Sequence, residues 1–144
     1  MCNGKDIVYV GWTPAYHDMG LFGGFLSHLP SGSTVYAMSP ITFLRNPVVW
    51  VEAMRRYKAT CTNGPNFAFA LTCKRLGALK KQNGIAEMPR IPSLRFVVIG
   101  AEPSDIRLLN SIDELMGIDK SAIASMYGLA EVAVAATAGS SQHV

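Results

Sequence analysis

Three short stretches of the sequence hold side chains able to handle protons or charge. "YHDMG" sets His17 beside Asp18. "GAEPS" runs from Gly100 through Ala101, Glu102 and Pro103 to Ser104. "YGLAE" contains Tyr127, Gly128 and Glu131. Imidazole titrates near neutral pH, so a histidine next to a carboxylate is suited to holding or moving a proton. Each stretch follows a run of residues that reads as a β-strand. In open α/β sheets, ligands bind beyond the carboxyl ends of strands. The three stretches are therefore expected to meet at one crevice.

The elements that would position them alternate along the chain. "DIVYVGW", "GSTVYAMS", "ATCT", "LRFVVIG" and "SAIASMYG" are β-branched, aromatic or apolar runs and read as strands. A Pro-Ser-Gly-Ser turn opens the second. "LRFVVIG" is apolar nearly throughout, as expected of a strand buried on both faces. Between the strands lie helical runs. "MGLFGGFLSHL" is loosened by glycines, and Pro47 opens a helix in which Trp50, Ala53, Met54 and Tyr57 recur at helical spacing. "PNFAFALTCKRLGAL" enters its helix through Pro65. Ser104 or Asp105 caps a helix whose apolar positions Leu108, Leu109, Ile112, Leu115 and Met116 share one face, and Gly117 ends it. "LAEVAVAATAG" reads as a last helix, and "KKQNGIAEMPRIP" as a polar loop. This alternation predicts an α/β fold, a mainly parallel sheet with flanking helices.

Composition limits the function classes. Of 144 residues, 49% are hydrophobic and 16% charged, against roughly 25% charged for an ordinary soluble domain. No stretch reaches the roughly 18 apolar residues of a membrane span. The start, "MCNGKDIVYV", lacks the layout of a secretory signal. An excerpt of a larger fold, with its apolar faces covered elsewhere, fits this balance. The net charge of +3 is mild and scattered, so no nucleic-acid surface is expected. The clusters Arg55, Arg56, Lys58 and Lys80, Lys81 read as solvated helix ends. Cys2, Cys61 and Cys73 are odd in number and show no metal-type pairing, as in reduced thiols of a cytoplasmic protein. His17, His28 and His143 show no zinc spacing.

The order and spacing of "YHDMGL", "NGPNFA", "GAEP" and "YGLAE" resemble those of the fatty acyl-AMP ligases. These belong to the acyl-adenylate-forming superfamily of AMP-dependent synthetases and ligases, with acyl-CoA synthetases and nonribosomal-peptide adenylation domains. The similarity runs from about Val8 to Val134. The alanine of "YGLAE", where many acyl-CoA synthetases carry threonine, and the "HD" pair point to the acyl-AMP ligase branch. The resemblance implies a part of the large amino-terminal domain of such an enzyme. It implies activation of a fatty acid with ATP and Mg²⁺ to acyl-adenylate and pyrophosphate, and transfer to an acyl carrier protein.

The same resemblance implies roles residue by residue. Glu131 matches the Mg²⁺-binding glutamate; on its own chemistry it equally suits the first turn of a helix. Tyr127 matches the adenine-stacking residue, or else fills a strand–helix corner, and Gly128 lets the backbone pass close to the nucleotide. Gly100, Ala101, Glu102 and Pro103 match the adenine-side loop. His17 falls at the junction of acyl carboxylate and phosphate, with Asp18 either holding its tautomer or capping a helix. Gly20, Gly23 and Gly24 remove bulk where a chain-shaped substrate would pass, or serve close packing; Phe67 and Phe69 line that path or belong to the core. The family's phosphate loop, expected upstream of Asp6, and its carboxyl-terminal lysine domain have no counterpart in residues 1–144. The chain is therefore expected to be a partial AMP-binding domain, inactive alone. The alternatives are a non-catalytic adenylating-fold module, a long-chain fatty acid–CoA ligase, and a dinucleotide binder, the last lacking the G-x-G-x-x-G loop.

Overall fold

The computed structural model describes residues 6–100, 105–127 and 137–140. Of Tyr127 and residues 137–140 it describes the backbone. In chain order the elements are β1 (Val8–Gly11), α1 (Asp18–Gly20), a π-helical segment Leu21–Leu26, β2 (Thr34–Ala37), α2 (Pro40–Arg45), α3 (Val48–Arg56), β3 (Cys61–Pro65) and α4 (Asn66–Gln82). There follow β4 (Phe96–Gly100), α5 (Ile106–Ser111) with a second π-helical segment Ile112–Met116, a 3₁₀ turn Lys120–Ala122, β5 (Ile123–Tyr127) and β6 (Thr137–Ser140). The sheet order is β2-β1-β3-β4-β5-β6. The first five strands are parallel, and β6 pairs antiparallel with β5. Parallel alternation of strand and helix is thus as the sequence predicts. Thr137–Gly139, expected in a last helix, lie instead in β6.

Local chemistry sets the helix boundaries. The Ser39 hydroxyl accepts from the Thr42 amide and Pro40 occupies the first turn, which opens α2. That signal stood in "SPITF" and no helix was expected there. Pro47 precedes α3, whose Val48, Trp50, Val51 and Met54 are buried; Ala53 is partly buried, while Tyr57 lies just past the helix end and is exposed. The Asp105 carboxylate accepts from the Arg107 amide and caps α5. The helical run from there ends at Gly117, whose φ of 73° is the left-handed conformation glycine adopts without strain. Leu109, Ile112 and Met116 are buried, with Leu108 and Leu115 packed beside them, as the spacing predicts.

Strand alternation divides the sheet into two unlike faces. Val10, Val97 and Ile99 point into the main core with Trp50, Phe69 and Leu76, beneath α3, α4 and α5. Among the described residues the opposite face is covered only by α1 and the first π-helical segment. This corrects the expectation for "LRFVVIG". Val97 and Ile99 are fully buried, but Phe96 is 47% exposed and Val98 only half-buried. The expected polar loop also departs from its reading. Residues 80–82 belong to α4, and Met88, Ile91 and Leu94 are buried in the core. Arg55 is not a solvated helix end: its Nη2 donates to Pro89 O at 2.7 Å and Met116 O at 3.3 Å, fastening this loop to the end of the second π-helical segment.

The connection from β1 to β2 runs one way along the sheet, and the connection from β2 to β3 runs the other. With right-handed crossovers, that reversal puts the intervening helices on opposite faces. The order 2-1-3-4-5 therefore has its topological switch point between β1 and β3. The seam there is thin. Tyr9 and Cys61 form its only register pair, against five between β3 and β4. The Thr60 amide adds a backbone bond to Val8 O at 2.8 Å, and side-chain hydroxyls reinforce it. Thr60 Oγ1 accepts from the Val8 amide at 2.9 Å, and Thr62 Oγ1 donates to Val10 O at 2.6 Å.

Candidate functional site

A cavity of about 580 Å³ opens at this switch point on the thinly covered face. Its walls follow from strand alternation. Tyr9 of β1, Cys61 and Asn63 of β3, and Phe96, Val98 and Gly100 of β4 project to the same side. The chain leaves β1 at the carboxyl end, turns at residues 12–17 and descends the sheet face. Met19 packs against Gly100, Gly23 against Asn63 and Gly24 against Tyr9. His17, Asp18, Met19, Gly100 and Met126 thus form the upper end, at the carboxyl ends of β1, β4 and β5. Ser27, His28, Cys61 and Phe96 form the lower end.

A buried polar cluster holds the descending segment to the sheet. Asn63 Oδ1 accepts from the Tyr9 hydroxyl at 3.0 Å and the Thr13 hydroxyl at 3.0 Å. Its Nδ2 donates to Met19 O at 3.1 Å. Burial pushes the Tyr9 phenol up to about 12, so it stays protonated and donating. Gly23 is needed beside this cluster: a Cβ there would lie 2.6 Å from Asn63 Nδ2. Gly100 is small for a similar reason, since a Cβ would lie 2.5 Å from Met19 Cε and push that methyl aside.

His17 caps α1. Its Nδ1 accepts from the Met19 amide at 3.1 Å. An acceptor Nδ1 leaves the proton of the neutral ring on Nε2. The group that sets the tautomer is therefore a backbone amide and not Asp18, which occupies the first turn of α1. Lower down, the His28 ring lies 5.1 Å from the Tyr9 ring at a 31° tilt, and burial lowers its pKa below the ordinary value. Burial raises the Cys61 thiol.

The sequence-predicted site residues fall into two groups. His17, Asp18 and Gly100 meet in one cavity, as expected of strand-end motifs. The Tyr127 backbone ends β5 next to Met126, a wall residue. Ala101, Glu102, Pro103, Gly128 and Glu131 lie outside the described residues. Among the described residues no group of three or more His, Cys, Asp or Glu is placed to hold a metal ion. Phe69 is wholly buried in the core, and Phe67 is 56% exposed with its ring edge toward Trp12; neither lines the cavity. Sequence reasoning missed Asn63, though it sits in the "NGPNFA" motif. It also missed Tyr9, Met19, His28 and Met126. Period-two projection from β1 and β3 would have pointed to Tyr9 and Asn63.

Residues 2–143 match the family described as AMP-binding enzyme. The chain is 35% identical over 134 residues to the putative ligase Rv1013 of Mycobacterium tuberculosis, covering 91% of this chain and 24% of that protein. It is 31% identical over 142 residues to the medium-chain-fatty-acid–[acyl-carrier-protein] ligase TtuA of Teredinibacter turnerae, covering 96% and 21%. Among solved structures, the fatty acid AMP ligase from Legionella pneumophila superposes with a TM-score of 0.82 at 32% identity, covering 94% of this chain and 23% of that one. The fatty acyl-adenylate ligase from L. pneumophila in complex with acyl adenylate and pyrophosphate gives 0.80 at 33%, covering 94% and 24%. The chain thus spans between a fifth and a quarter of the length of these relatives.

Proposed function

The chain belongs to the family of AMP-binding enzymes, and from that premise we propose that it is a segment of a fatty acid–AMP ligase. Such an enzyme joins a fatty acid carboxylate to the α-phosphate of ATP, releases pyrophosphate and passes the acyl group to an acyl carrier protein. One observation carries the reading: a slot with an apolar middle descends from the carboxyl ends of the strands at the switch point, with His17 at its mouth. In this reading the carboxylate sits at the mouth and the acyl chain lies down the slot.

The roles follow from position and chemistry. With Nδ1 occupied by the Met19 amide, His17 presents Nε2–H as a fixed donor. A donor already aimed at the oxygen that gains charge in the transition state stabilises it without reorganisation. Asp18 shares the mouth from the first turn of α1, where its charge opposes the partial positive end of the helix. Gly100 to Pro103 form the adenine-side loop, Tyr127 stacks on the base and Gly128 lets the main chain pass close. Glu131 would hold Mg²⁺, which would offset phosphate charge. The 144 residues are a part of the AMP-binding domain, and the enzyme works in the cytoplasm.

The test uses the complete native polypeptide that carries this segment. Fatty-acid-dependent exchange of pyrophosphate into ATP is expected. His17→Ala should lower its kcat about 10²–10³-fold, the effect of removing one transition-state donor. Exchange that ignores His17→Ala would remove the histidine from the chemistry, and absence of exchange would leave a binding module. Transfer of the acyl group to CoA instead of carrier protein would reassign the enzyme to the CoA ligases.

A further inference from the structure

The slot carries unspent polar groups at both ends and almost none between. In the middle, each hydrogen-bonding atom of Asn63 is already committed, to Tyr9, Thr13 and Met19. Thr62 is committed too: its hydroxyl donates to Val10 O and accepts from Trp50 Nε1 at 3.2 Å. The remaining middle lining, Gly23 and Val98, is apolar. A ligand passing here meets hydrocarbon in effect, although the lining Asn63 side chain is polar, because Thr62 turns its hydroxyl to the core face.

The lower end differs. The Tyr9 hydroxyl is spent on Asn63. Ser27 only donates, to Gly23 O at 3.4 Å, which leaves its lone pairs open. The His28 imidazole is half-buried, with its face against Tyr9 and one ring N–H given to Gly23 O, which leaves its other nitrogen open. An alkyl terminus seated here would strip water from both groups and return no hydrogen bond, an unfavourable exchange. A hydroxyl terminus would restore it. The separation of the two ends is set by β4: from Phe96 to Gly100 is four residue steps, or roughly 13 Å.

We infer that the acid held by this slot carries a hydroxyl at the end remote from its carboxylate, and that Ser27 and His28 read that hydroxyl. This rests on the ligase reading above. The substrate class is then a medium-length ω-hydroxy acid in place of a plain alkanoic acid. His28 is a specificity residue and takes no part in the reaction at the mouth.

The experiment compares matched pairs in the pyrophosphate-exchange assay of the native polypeptide: an alkanoic acid and its ω-hydroxy counterpart of equal length. The wild type should favour the hydroxy acid in kcat/KM by at least about tenfold, the worth of one well-made hydrogen bond. His28→Leu should abolish that preference, with its urea unfolding midpoint measured alongside to show that the variant is folded. His28→Asn, which still donates and accepts, should retain part of it. Equal use of the two acids by the wild type, or an unchanged preference in His28→Leu, overturns the inference and leaves the ligase reading standing. No exchange with either acid overturns the ligase reading and the inference with it.

Discussion

Asn63 shows how one side chain can secure a site without touching the reaction. It takes two hydroxyl donors on its oxygen and gives its amide to Met19 O. Asn63→Leu would leave Tyr9 and Thr13, both buried, with donors to satisfy. The expected cost is about 2–4 kcal/mol, read from urea unfolding; a smaller loss would mean that water replaces the amide. Tyr9 adds a pH signature. Its folded-state pKa of about 12 stands above the ordinary 10.0. The unfolded chain therefore loses this proton first. The stabilisation is complete below pH 10 and is lost as pH rises toward 12, a change of about 2 kcal/mol. Tyr9→Phe is expected to start from lower stability and to show a flatter decline across that interval. An equal slope in both proteins would place the phenol in water.

At the scale of elements, the loop before β4 is a structural part, tied at Arg55 and Gly117. The Ile91 amide donates to Gly117 O at 2.8 Å. Gly117 has a φ of 73°, and a Cβ there would collide with Pro89 O. Gly117→Ala is expected to cost about 2–4 kcal/mol, from the left-handed backbone and the overpacking together; a midpoint in urea within error of the parent would show that the loop simply yields. The sequence revealed the elements whose signals are local. Five strands, the Pro47, Pro65 and Asp105 helix starts and the Gly117 stop are all set by residues within a few positions. What it concealed depends on partners far along the chain. Arg55 reads as one more cation on a basic helix end until the fold brings Pro89 and Met116 beneath it. Asn63 reads as a turn residue until β1 is laid next to β3. Phe96 and Val98 read as buried on both sides because apolarity does not say which element, if any, covers a face. The last strand, Thr137–Ser140, was hidden because it stands at the end of a sequence run that reads as helical.

The whole molecule is lopsided. α3, α4 and α5 seal one side of the sheet, while on the thinly covered face Phe96 stands 47% exposed. Whole domains are stable by only about 5–15 kcal/mol, so uncovered apolar area of a few hundred Å² is a large fraction of the total. The 144 residues made alone should bind an apolar dye and elute above the 15.5 kDa of a monomer. A dye-silent monomer with a sharp melt would refute that. The asymmetry also bears on the seam between β1 and β3. Elsewhere, backbone ladders lock neighbouring strands near 4.8 Å apart. Here the ladder is one register pair and the Thr60 amide bond to Val8 O at 2.8 Å, supplemented by the Thr60 and Thr62 hydroxyls, and Asn63 braces the segment above it. The bore of the slot is therefore a side-chain dimension. Point substitutions at Thr60, Thr62 and Asn63 are expected to change the width of the slot while β3, β4 and β5 keep their register.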